Sequence, residues 1–245
     1  MNELQVRSSA RPWEAASERG RAALERFPGL YVRIASRRTP AREGVDASTE
    51  LLVEGFPRSG NSFLVSWIAK ANPGLRIASH MHSIAHVHAA LRRRVPVVVV
   101  IRRPEAALAS LALFDGQRPL EQHIERYRRF HVGVLALSDE VLVSPFAVTT
   151  GEPERVVEAL RPTMARDLVA TPPGGVDEVM AEVDRRTVRF NGVFDANRVA
   201  RPTNARTDAN ERVRDLLRTR HAEALAVLDS LHERLASGPR AISPR

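Results

Sequence analysis

The stretch GFPRSGNS at 55–62 constrains this chain more than any other. It follows a short apolar run, LLVEG at 51–55, that reads as a buried strand, and it opens a segment, Ser62–Ala71, that reads as a helix. Its glycines have the spacing G-x-x-x-x-G of a loop that cradles phosphate, where loop amides and a helix N-terminus together favour an anion. The competing reading is a tight strand-to-helix turn that holds nothing. Asn61 stands where a kinase or ATPase loop carries lysine, and the positive charge sits three residues earlier, at Arg58. Without the lysine that bridges the outer phosphates of a nucleoside triphosphate, a donor with fewer phosphates and a strongly anionic 5′ end fits better.

The same alternation continues along the chain. Leu75–Ala78 reads as a second strand and Ile84–Arg94 as a second helix. The β-branched run PVVVVI at 96–101 reads as a central strand buried on both faces. Pro104 sits where a first helical turn tolerates proline, and a helix continues through Glu105–Phe114. Residues 119–137 read as helix, Glu140–Ser144 as a fourth strand and Pro153–Leu160 as helix. TPPGG at 171–175 reads as a loop, and Val176–Arg185 as a short helix. Residues 208–236 read as one or two helices, with Val213, Leu216, Leu217, Leu225, Leu228, Leu231 and Leu235 as their core stripe. Strands alternating with helices predict the α/β class: a single domain with a P-loop-type parallel β-sheet flanked by helices on both faces. We divide the chain into an N-terminal helical extension at 1–49, this domain at 50–236, and a disordered tail at 237–245.

Composition narrows the function classes. The chain has 245 residues, which suits one domain, and no cysteine, which excludes disulfides, thiolate metal sites and cysteine nucleophiles. No apolar stretch is long enough to span a membrane and the N-terminus has no apolar signal-peptide core, so a cytoplasmic protein is expected. The formal net charge is +8, and Lys70 is the only lysine, a bias that points to GC-rich bacterial coding. The arginines are dispersed and form no nucleic-acid-binding module, so nucleic acid is not an expected partner. Residues 12–36 read as a helix interrupted at Pro28-Gly29, with Trp13, Ala16, Leu24, Phe27, Tyr31 and Ile34 on one face. That helix either packs on the domain or, because arginines flank its apolar face, makes weak peripheral contact with a membrane through residues 12–37.

The loop PRSGNSF resembles the 5′-phosphosulfate loop of the sulfotransferases that use 3′-phosphoadenosine 5′-phosphosulfate. The resemblance implies that Arg58 contacts the transferring sulfuryl group, that Ser59, Gly60, Asn61 and Ser62 supply amides or hydroxyls, and that Phe63 lies against the adenine. That family has a second signature: a strand ending in Arg, then x-Pro, then a Ser eight positions after the Arg. Here VVVVI leads to Arg102, Pro104 follows, and Ser110 lies at the matching position. By resemblance Arg102 and Ser110 bind the donor's 3′-phosphate, chemistry that suits a guanidinium and a hydroxyl. The family's late Arg-Lys-Gly is absent, and Arg201 or Arg206 in ARPTNAR would stand in for it.

The family's Thr-His pair corresponds to Ser79-His80, which implies His80 as the general base, a role that imidazole suits. The lysine two residues before that histidine is Ala78 here, leaving Arg58 more of the charge stabilisation. A rival reading takes His80, His82, His86 and His88 as metal ligands, although no carboxylate lies in that stretch to complete a site. The resemblance covers residues 50–115. Beyond it, VLVSPFAVTT lacks the family's acidic residues, and 115–205 carries no acceptor signature. The implied activity is metal-independent sulfuryl transfer to the hydroxyl of a glycan, lipid or small molecule. The alternatives are a P-loop kinase or related phosphoryl transferase, and a non-catalytic nucleotide-binding relative.

Overall fold

The structure is a computed structural model that describes residues 20, 23–38, 43–116, 118–191 and 204–244. Four strands form one parallel sheet: β1 (Leu51–Gly55), β2 (Ile77–Ser79), β3 (Val97–Ile101) and β4 (Leu142–Pro145), in the order β2-β1-β3-β4. The described α-helices, in chain order, are α1 (Pro28–Arg38), which precedes β1, α2 (Asn61–Ala71), α3 (Ile84–Arg92), α4 (Pro104–Phe114), α5 (Leu120–Leu135), α6 (Phe146–Gly151), α7 (Pro153–Leu160), α8 (Gly175–Asn191), α9 (Asn204–Arg220) and α10 (Ala222–Ala236). The α/β class with helices on both faces of a parallel sheet is therefore correct. Element bounds differ from the sequence reading by a few residues, except that α8 runs longer and α6 was not anticipated.

Side-chain alternation along the strands builds the two layers. Leu52, Val97, Val99 and Ile101 face one apolar cluster with Ala90 of α3, Leu108 of α4, Tyr127 of α5 and Leu228 of α10. Leu51, Val53, Val98 and Val100 face the other, with Leu64 and Ile68 of α2, Val157 of α7 and Val179 of α8. All five residues of β1 and of β3 are buried, which is why β3 reads as a continuous apolar run and β1 as one apart from Glu54. Of the terminal stripe, Val213, Leu217, Leu225, Leu228, Leu231 and Leu235 are buried.

Chain segments from outside the named strands cover both sheet edges. The Ser79 N–H donates to the Glu43 carbonyl at 2.9 Å on the β2 side. On the β4 side the Val143 N–H donates to Arg240 O at 3.0 Å and the Ile242 N–H to Val143 O at 2.9 Å. The expectation of a disordered tail is thus corrected: residues 240–242 lie parallel to β4, because an exposed edge strand offers unpaired backbone groups that a short segment can satisfy. Tyr31, Val32 and Ala35 of α1 pack with Met81, Ala85 and Ala89, while Phe27 is 65% exposed and departs from the predicted face. Trp13 and Ala16 lie outside the described residues. No described helix is long and apolar enough to cross a membrane.

Candidate functional site

β1 and β3 are neighbours, yet the chain leaves them in opposite directions, since β2 lies beyond β1 and β4 beyond β3. The crevice at the carboxyl ends of such a strand pair is where open α/β sheets bind ligands. The segments leaving β1, β2 and β3 carry Arg58, His80 and Arg102 to this end of the sheet.

The loop after β1 is shaped for an anion. Gly60 caps α2 in the left-handed region, at φ 96°, with the Phe146 ring 3.3 Å from where a Cβ would stand. Arg58 is also left-handed, at φ 69°. Among the described residues no acceptor faces the amide N–H groups of Gly60, Asn61 and Ser62, so the first turn of α2 presents its donors outward. Ser59 Oγ is fully buried and meets no partner among the described residues. The Asn61 side chain does not reach out as a lysine would. Its Nδ2 donates to the carbonyls of Gly55 at 3.2 Å and Phe56 at 3.3 Å, closing the loop on itself. These orphan donors and the adjacent arginines fit an anionic group.

The two sequence signatures meet in space. Arg102 Nη1 donates to the Arg58 carbonyl at 2.7 Å, and Arg58 Nε donates to Ser110 Oγ at 3.1 Å. Tyr127 OH donates to Arg102 O at 2.7 Å and fixes the backbone there. The Arg102 guanidinium lies 4.3 Å over the Phe146 ring, and that of Arg58 lies 5.2 Å over Phe114. Phe63 turns the other way. It packs beside Trp67 in the apolar layer under α2 and is 9% exposed. Its neighbour Ser62, also in the first helical turn, faces the site instead. Arg201 lies outside the described residues, as does the side chain of Arg206.

His80 sits after β2 with its Nε2 3.0 Å from Ser62 Oγ and its Nδ1 against Ser79 Oγ. Burial, then the neighbouring His82, hold its pKa down to about 3, with Glu54 opposing and Arg186 of α8 adding to the depression. The imidazole is therefore neutral at physiological pH. His80 and His82 are both left-handed, at φ 66° and 50°, a conformation that costs energy in residues with a Cβ and gathers at functional sites.

His86 is committed elsewhere. The Val45 N–H donates to its Nε2 at 3.1 Å, so its Nδ1 carries the proton and donates to Glu54 Oε2 at 2.7 Å. Both nitrogens are occupied, which removes His86 from the metal set suggested by the sequence; among the described residues no group of three His, Asp or Glu is disposed to hold a metal. Sequence reasoning passed over Glu54, Tyr127, Phe146 and Arg186. Only Glu54 left a signal: a charged residue inside an apolar strand needs a buried partner. A cleft of about 780 Å³ runs along the β2 edge, lined by Arg33, Arg37, Arg76, Arg93 and Arg186 among others. Its lining includes no residue of the phosphate loop.

No protein-family model matches the chain, and no curated protein does. Among solved structures, it is similar to mouse sulfotransferase SULT7A1 complexed with PAP, with a TM-score of 0.46 and 9% identity over 76% of this chain and 89% of that one. A likeness of that degree carries no residue roles across.

Proposed function

We propose that the chain is a sulfotransferase that moves a sulfuryl group from 3′-phosphoadenosine 5′-phosphosulfate to an acceptor hydroxyl. The observation that carries this reading is the meeting of Arg58, Arg102 and Ser110, brought together from segments 44 and 52 residues apart at the amide-lined turn. The turn amides and Arg58 would hold the 5′-phosphosulfate, and Arg102 with Ser110 the 3′-phosphate. Transfer forms a bond from the acceptor oxygen to sulfur and breaks the bond from sulfur to the phosphate oxygen, which leaves with the electron pair. Arg58 and the amides stabilise the charge that grows on that oxygen. His80 takes the acceptor's proton at Nε2, with Nδ1–H donating to Ser79 Oγ. A base depressed to about 3 is weak, and the negative charge of a bound donor would raise it toward a useful range.

That weakness favours, as a second reading, a nucleotide-binding relative without catalysis. The kinase reading has less support, because Asn61 ties its amide to the loop. The acceptor is a hydroxyl of a glycan, lipid or small molecule. Thermal unfolding with adenosine 3′,5′-bisphosphate, AMP and magnesium-ATP tests the proposal. A hundredfold excess of bisphosphate over its Kd should stabilise by ~2.7 kcal/mol. Greater stabilisation by magnesium-ATP would replace sulfuryl transfer with phosphoryl transfer.

A further inference from the structure

We propose that Glu54 is the positioning residue of this site, fixing the His80–His82 segment against the phosphate loop. The role given to His80 rests on the sulfotransferase reading; the geometry of Glu54 does not. Glu54 lies in β1, between β2 and β3, and is fully buried. Its Oε1 accepts the Gly55 N–H at 3.2 Å, at the entrance to the phosphate loop, and the His82 N–H at 3.1 Å. Its Oε2 accepts His86 Nδ1–H at 2.7 Å. One carboxylate therefore ties together the loop after β1, the segment after β2 and α3.

Stability alone does not account for a charge here. A β-branched apolar residue would suit this strand, and well-packed apolar replacements of buried charge networks are often neutral or stabilising. Burial pushes the carboxyl up, but the hydrogen bond from His86 and the imidazoles around it outweigh burial, so the carboxyl stays below its ordinary value and the carboxylate form is favoured. What the carboxylate supplies is an acceptor for the amide of a left-handed His82. The His82 ring then donates from Nδ1 to the Gly55 carbonyl at 2.7 Å, a second tie between the same two segments. With His82 held twice, His80 two residues earlier stays within 3.0 Å of Ser62 in the first turn of α2.

Three residues of similar shape separate positioning from packing. Glu54→Gln keeps an oxygen for the His82 N–H but turns an NH₂ group toward the His86 Nδ1–H, which cannot change tautomer without losing Val45. Glu54→Met removes both acceptors. Each variant should melt lower than the parent. At a temperature well below either midpoint, Glu54→Gln should leave the His80 and His82 ring-nitrogen NMR signals in place and hold bisphosphate affinity within about threefold. Glu54→Met should shift those signals and weaken bisphosphate by about tenfold or more. Parent-like rings and affinity in Glu54→Met, or equal losses in both variants, would overturn the proposal. The parent gives a further reading that needs no variant to fold: the His82 amide should resist hydrogen exchange as the β1 amides do, and exchange at an open-loop rate would count against Glu54. If the parent does not bind bisphosphate, the donor assignment fails, while the ring signals and amide exchange still decide the role of Glu54.

Discussion

Arg58 Nε donates to Ser110 Oγ at 3.1 Å across 52 residues of chain, while Arg102 holds the Arg58 carbonyl from the neighbouring strand end. The residues assigned to the donor's two ends therefore touch one another. An anion entering between them competes with the Arg58–Ser110 contact, so the two halves of the site should respond together.

Arg102→Ala should abolish the preference for adenosine 3′,5′-bisphosphate over AMP, at ~2–4 kcal/mol if the charge pair is desolvated. Ser110→Ala should cost less, since it removes one neutral partner. Calorimetric titration with both nucleotides measures the preference; an unchanged ratio in Arg102→Ala would show that the second signature has no part in binding.

For His80 we expect a separation of binding from turnover. His80→Ala should leave bisphosphate affinity nearly as in the parent and slow sulfuryl transfer by ~10²–10⁴-fold. Arg58→Ala should weaken both. Full turnover in His80→Ala would end the assignment of His80 as the base.

Gly60→Ala places a Cβ at φ 96° and 3.3 Å from the Phe146 ring. The expected loss is about 1–3 kcal/mol in chemical denaturation, together with weaker bisphosphate binding. A variant with parent stability would mean that the turn can adopt another backbone.

The fold should be acid-sensitive. Burial holds His80 and His131 near 3 and His123 near 4, against ordinary values of 6.5. In that interval the unfolded chain binds more protons, so each residue's contribution is complete above about pH 6.5 and is lost as the pH falls toward its folded value. Each site adds up to about 1.4 kcal/mol per pH unit. His131 stacks on Tyr127, with centroids 3.8 Å apart, and its buried Nε2 meets no partner among the described residues. His131→Phe keeps the ring and should flatten the acid limb of a stability–pH curve. The same slope as the parent would show that His131 does not contribute.

Peripheral membrane contact, expected from the sequence through residues 12–37, is testable at α1 and the turn before it. Phe27 and Leu30 are exposed beside Arg26, Arg33 and Arg37, and the first turn has no acid. We expect weak, salt-sensitive co-sedimentation with anionic vesicles that Phe27→Glu abolishes. Salt-independent retention, or none in low salt, would leave α1 as a packing helix only.

The sequence alone determined the sheet and the left-handed turn into α2. Both rest on local rules: β-branched runs buried on two faces, and glycine where the chain must turn left-handed into a helix. Through the motif resemblance it also marked Arg58, Arg102 and Ser110, which the fold brings together. What faces what was decided only in three dimensions. Phe63 and Ser62 are adjacent, yet one packs into the core and the other meets His80, since the rotation of α2 on the sheet is set by Trp67, Leu64 and Ile68. Glu54 passed unmarked in the sequence and His86 read as a metal ligand, until parallel pairing and the placement of α3 brought them within 2.7 Å. The same holds for residues 240–242, a short proline-flanked segment in sequence, which pair with the edge of β4. Such contacts depend on how elements pack, and no window of sequence contains both partners.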